Sequence, residues 1–97
     1  MDLKDTVKQK RMQIIELASK FGVHNVRLFG SVARGESDDK SDIDFLVTIG
    51  PKFSLMDHVR LEQALEQLLG HKVDIVSDGG LKRPRFRDRV LNEAMPL

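Results

Sequence analysis

The stretch Gly30-Ser31-Val32-Ala33-Arg34-Gly35-Glu36-Ser37-Asp38-Asp39-Lys40-Ser41-Asp42-Ile43-Asp44 decides how this chain is read. Before it, an apolar run (Val26, Leu28, Phe29) stops at Gly30-Ser31. After it, the chain re-enters an apolar run, Ile43 to Ile49, with Asp42 and Asp44 at its mouth. Aspartate is depleted in strands, and two at i and i+2 of one strand project to the same face. Two carboxylates about 4 Å apart repel by roughly 4 kcal/mol at an effective dielectric near 20. A small domain has only about 5–10 kcal/mol of stability in total, so the repulsion needs an offset. A divalent cation is the simplest one, since Mg²⁺ takes carboxylates together with phosphate oxygens. A strand that ends at Gly30-Ser31 and turns into a short helical stretch offers backbone N–H groups and a hydroxyl. Glycine there lets a phosphate come close to the backbone. Phosphate donors beside paired carboxylates point to a nucleoside triphosphate.

Composition narrows the field. With 97 residues the chain is expected to form one domain, 1–97. An apolar fraction of 40% beside 32% charged residues fits a folded, soluble protein. The formal net charge is +1, so no global field draws the chain to nucleic acid or to a membrane. Cysteine is absent, which excludes disulfides, thiol catalysis and thiolate metal sites. No apolar stretch has the length of a membrane span and the first residues lack a signal-peptide core, so a cytoplasmic location is expected. Tyrosine is also absent, so a tyrosine acceptor would have to come from another chain.

Periodicity supplies the elements. Residues 2–21 read as one helix with Leu3, Val7, Ile14, Ile15, Leu17, Ala18 and Phe21 along a stripe, stopped by Gly22. Val23 to Phe29 reads as a strand, 31–41 as a helical turn with a polar loop, and 42–49 as a second strand. Ser54-Leu55-Met56-Asp57 has the form of a capping box and opens a helix. Its inward positions are Leu55, Val59, Leu61, Leu65, Leu68 and Leu69, and Gly70 closes it. His71 to Ser77 reads as a third strand, Asp78-Gly79-Gly80 as a turn, and Pro84 as the start of a last helix burying Phe86, Val90, Leu91 and Ala94. The expected fold is α/β, a small mixed three-stranded sheet with helices packed mainly on one face. The first two strands should be antiparallel, and strands two and three, joined by a helix, parallel. That arrangement would bring Asp74 beside Asp44, so that three carboxylates converge.

Gly30-Ser31, ten residues, then Asp42-Ile43-Asp44 resembles the GS-x10-DxD signature of the polymerase-β-like nucleotidyltransferases. The longer match, Gly30 to Glu36 with Ser41 to Phe45, is similar to the minimal nucleotidyltransferases (MNT), the antitoxin halves of HEPN/MNT toxin–antitoxin modules. The likeness spans nearly the whole chain, and no motif position departs from it. It implies a polymerase-β palm-like nucleotidyltransferase fold. It further implies that Gly30, Ser31 and Arg34 hold the triphosphate and that Asp42, Asp44 and Asp74 bind two Mg²⁺ ions, with Asp74 aiding deprotonation of the acceptor. The implied reaction is transfer of AMP from ATP to a hydroxyl, a tyrosine on a partner HEPN toxin, whose RNase activity is thereby silenced.

Plainer readings stand beside these. Ser31 could cap the short helix, Arg34 could be a solvated arginine, and Asp74 could pair with Lys72. Lys82, Arg83, Arg85, Arg87 and Arg89 form a basic run that is a solvated face, a docking surface for an acidic partner or a source of extra phosphate contacts. Phe86 is the one aromatic residue among these arginines, which leaves little to stack on bases and disfavours direct nucleic-acid binding. Two rival functions remain: a non-catalytic antitoxin that masks its toxin, and a nucleotidyltransferase acting on RNA or a small molecule.

Overall fold

The computed structural model describes residues 2–36, 38, 40–81 and 83–97. In chain order the elements are α1 (Leu3–Gln9), α2 (Arg11–Lys20), β1 (Val23–Phe29), α3 (Gly30–Ala33), β2 (Ile43–Ile49), α4 (Leu55–Leu69), β3 (Val73–Ser77), a 3₁₀ turn (Asp78–Gly80), α5 (Pro84–Glu93) and β4 (Met95–Pro96). The sheet order is β3-β2-β1-β4. β1 pairs antiparallel with β2 and with β4, whereas β2 and β3 run parallel, joined by α4. Four strands stand where three were expected. The fourth is two residues long and contains a proline, so it carries no periodic signal; its edge position tolerates the missing N–H.

Both faces of the sheet are covered. Ile43, Phe45 and Val47 of β2 and Val73 and Ile75 of β3 form the main core, with Val7, Ile14 and Ala18 from α1 and α2 and Leu61, Leu65 and Leu69 from α4. The alternate residues of the same strands face the other way. There Phe29 and Leu46 meet Leu81 and Val90, so α5 lies across the second face.

Three local differences from expectation have physical causes. The first helix is broken at Lys10, whose ammonium donates to the Leu68 carbonyl at 2.7 Å. That carbonyl lies in the last turn of α4, where helical carbonyls lack intrahelical partners, and the contact is with a residue 58 positions away. β1 carries an irregularity between His24 and Arg27, with Asn25 at φ 54°. Asparagine tolerates this left-handed conformation, and the extra residue lets Val23 share the core side with Val26 and Leu28. Finally, several apolar residues expected inside are exposed: Ile15, Leu55 (79%), Val59, Phe86 (49%) and Leu91. Leu55 opens α4 and Phe86 lies in the first turns of α5, where no element among the described residues covers them. The Ser54–Asp57 capping box and the left-handed Gly70 bound α4 as expected.

β3 is an edge strand, and α4 covers two of its outward N–H groups. Glu66 and Glu62 of α4 accept from the backbone N–H of Val73 and Ile75, each at 3.1 Å. Covering an edge in this way blocks pairing with another strand. No helix among the described residues is long and apolar enough to cross a membrane.

Candidate active site

The parallel register pairs Asp44 with Asp74, and the antiparallel register pairs Asp44 with Phe29, the residue before Gly30. Asp44 therefore lies between the end of β1 and the start of β3. Neighbouring strands are about 4.8 Å apart, and register partners project to the same face, here the one opposite the Phe45 core. Asp42 lies two residues before Asp44, just outside β2, and is exposed like Asp74; Asp44 is half-buried.

This placement changes the chemistry of Asp44. Burial first, then the negative charges of Asp74 and Asp42, push its carboxyl up to about 6, while the Arg34 charge acts in the opposite sense. A carboxylate in that position needs a cation more than most. Mg²⁺, a hard ion that prefers oxygen, fits the donor chemistry of these three side chains. Among the described residues no group of three acidic or histidine side chains, Asp42, Asp44 and Asp74 included, is placed closely enough to hold a metal ion unaided. Phosphate oxygens and water, which this ion usually keeps in its shell, would supply the remaining ligands.

Gly30 forms the opposite wall. Its φ is +77°, a conformation that L side chains rarely adopt. A Cβ at Gly30 would overlap Asp44 Oδ2 and lie 3.2 Å from its Cγ. Glycine is thus required twice, for the backbone turn and for the space the carboxylate occupies. Beyond it the chain winds through the four residues of α3. Val32 and Ala33 are buried against the core, which leaves Ser31 half-buried at the site end.

Arg34 follows α3. Its Nε donates to Glu36 and its Nη1 to Glu93, both at 3.0 Å. These carboxylates, Glu36 foremost, hold the guanidinium more firmly protonated than usual.

Comparisons with known proteins fit this geometry. A family model described as a nucleotidyltransferase domain matches residues 10–96. The chain belongs to the nucleotidyltransferase family. It is 42% identical to MJ0435 of Methanocaldococcus jannaschii, provisionally named a protein adenylyltransferase, over 94% of this chain and 97% of the relative. A solved structure described provisionally as a minimal nucleotidyltransferase is similar over 100% of this chain and 97% of its own, at 50% identity and TM-score 0.87. A mutant of the toxin–antitoxin MntA–HpeT is similar at 25% identity and TM-score 0.72, over 90% of this chain and 70% of that one. The mixed sheet and its helices are therefore those of a minimal nucleotidyltransferase.

Two features of this nucleotidyltransferase were not anticipated. Glu93 comes to Arg34 from 59 residues away, a pairing with no local signal. On the same sheet face, Arg27 Nη2 donates to Asp78 Oδ2 at 3.1 Å and the Thr48 hydroxyl donates to the same oxygen at 2.6 Å. The Thr48 hydroxyl and then Arg27 hold the Asp78 carboxyl below the usual carboxylate range. This cluster pins the 3₁₀ turn that leads into α5. Of the basic run, Arg83, Arg85, Arg87 and Arg89 are exposed, and Lys82 lies outside the described residues.

Proposed function

We propose that this nucleotidyltransferase transfers AMP from Mg-ATP to a tyrosine hydroxyl on a partner HEPN toxin and so acts as its antitoxin. The observation that carries this reading is the Asp44–Asp74 pair, with Asp42 two residues before it, set against a glycine that leaves no side chain between carboxylate and backbone. Gly30 and Ser31 seat the triphosphate with their N–H groups and hydroxyl, and Arg34 adds positive charge to the phosphates. Asp42, Asp44 and Asp74 would hold two Mg²⁺ ions. Bound there, the metal neutralises the carboxylates, polarises the phosphate and lowers the cost of deprotonating the acceptor.

In the transfer, the acceptor oxygen bonds to the α-phosphorus, the bond from phosphorus to the bridging oxygen breaks, and pyrophosphate leaves with that electron pair. Asp74, exposed at the outer side of the site, takes up the acceptor proton. The chain has no tyrosine, so the acceptor comes from the partner. Support for a protein acceptor comes from the name of the M. jannaschii relative, and support for a toxin partner from the MntA–HpeT neighbour.

The test mixes the protein with Mg-ATP and its neighbouring toxin and weighs both chains by mass spectrometry. A gain of one AMP on the toxin, lost with Asp42→Ala, supports the reading. Inhibition that persists with Asp42→Ala and without any mass gain would mean masking instead. AMP found on RNA would mean a different acceptor.

A further inference from the structure

The Arg34 guanidinium is gripped from two sides, and the two grips differ in origin. Glu36 is two residues away and belongs to the same loop. Glu93 is the last residue of α5, on the far side of the sequence, and it is itself held, because Arg89 Nε donates to its Oε1 at 3.3 Å. Each Glu93 oxygen thus has its own arginine: Oε2 takes Arg34 and Oε1 takes Arg89. The Glu93 side chain is only 27% exposed, so the pair is partly shielded from solvent. Neither Arg34 bond uses Nη2. A planar fork fixed through Nε and Nη1 keeps its remaining N–H groups in one orientation, and a preorganised fork loses less freedom when it meets a phosphate.

We propose that Glu93 is a positioning residue for the triphosphate, fixing the Arg34 fork from α5 so that its unused N–H groups meet the nucleotide phosphates. The proposal rests on the reading that Arg34 contacts phosphate. It makes α5 a part of the nucleotide site and not merely a cover for the second sheet face.

The sign of the effect separates positioning from simple charge. Glu93 is an anion close to a site for a polyanion. By electrostatics alone, removing it would improve nucleotide binding. Positioning predicts the reverse: Glu93→Gln and Glu93→Ala raise KM for Mg-ATP about three- to tenfold, with kcat changed less. In an Arg34→Ala background, Glu93→Ala adds no further loss, because the group it orients is gone. Melting curves of each variant check that the fold is kept.

A KM that falls or stays level in the Glu93 variants, or losses that simply add in the double variant, would overturn the proposal. If Arg34→Ala itself leaves KM unchanged, the phosphate role of Arg34 fails instead. The two failures are therefore distinguishable.

Discussion

Asp44 stands opposite Asp74 in the parallel β2–β3 register, and the two carboxylates share a face with no basic residue between them in the pairing. Folding therefore brings like charges together at the mouth of the sheet. Burial and this repulsion together keep the Asp44 carboxyl protonated to about pH 6.

The first prediction follows from that value. A carboxyl raised from 3.8 to about 6 in the folded chain adds stability that is complete below about pH 4 and is lost as pH rises through 6. The metal-free protein should melt at lower temperature at pH 7.5 than at pH 5. Asp44→Asn should abolish that difference and gain about 1–2 kcal/mol at pH 7.5, allowing for the half-exposed site. Adding Mg²⁺ should raise the melting temperature of the wild type and not of the variant. Thermal melts across pH, with and without the ion, check both statements.

Gly30→Ala should damage the site more than the fold. The backbone strain at φ +77° costs about 1–2 kcal/mol, while the new Cβ drives Asp44 from its place. Displacement of a reacting group by about 1 Å can cost 100-fold in rate, and a loss of that order is expected. A folded variant with unaltered turnover would contradict the close approach of residues 30 and 44.

Asp42 and Asp74 are exposed and repel Asp44, so replacing either should not lower the melting temperature and should raise it slightly in the metal-free protein at pH 7.5. Asp74→Asn should lower transfer by about 10²–10⁴-fold if it takes the acceptor proton. Asp42→Ala should lower it at least as far. Steady-state AMP transfer to the partner beside a melting curve for each variant measures the two effects separately.

Asp78 should act on stability and not on chemistry. Asp78→Ala leaves Arg27 without its carboxylate partner in a partly buried setting, at an expected cost of about 1–3 kcal/mol. Because Asp78 is held below the usual carboxylate range, its contribution is present above about pH 4 and is lost as pH falls further. Urea unfolding at pH 7 and pH 3 should show the difference between wild type and variant shrinking at the lower pH.

Much of the site could be read along the chain because its parts are local. Gly30-Ser31 and Asp42/Asp44 belong to one 15-residue stretch, and a single strand's two-residue alternation already places both aspartates together. The Asp44–Asp74 juxtaposition needed one further step, a count of residues into two parallel strands, and the register agrees with that count. The helix at Ser54 and its stop at Gly70 were visible because capping chemistry is carried by the capping residues themselves.

What the linear order determined by itself was the Gly30-Ser31 turn, the Asp42/Asp44 pair and the strands that carry them, since alternation and turn chemistry act over a few residues. Only the folded chain decided that α5 closes the second face, that Glu93 clasps Arg34, that the first helix breaks at Lys10, whose ammonium meets Leu68, and that Phe86 and Leu55 stay in solvent. Those outcomes depend on which distant surfaces meet. A short-range pattern carries no record of that, because the energy of such contacts exists only once the chain has closed on itself.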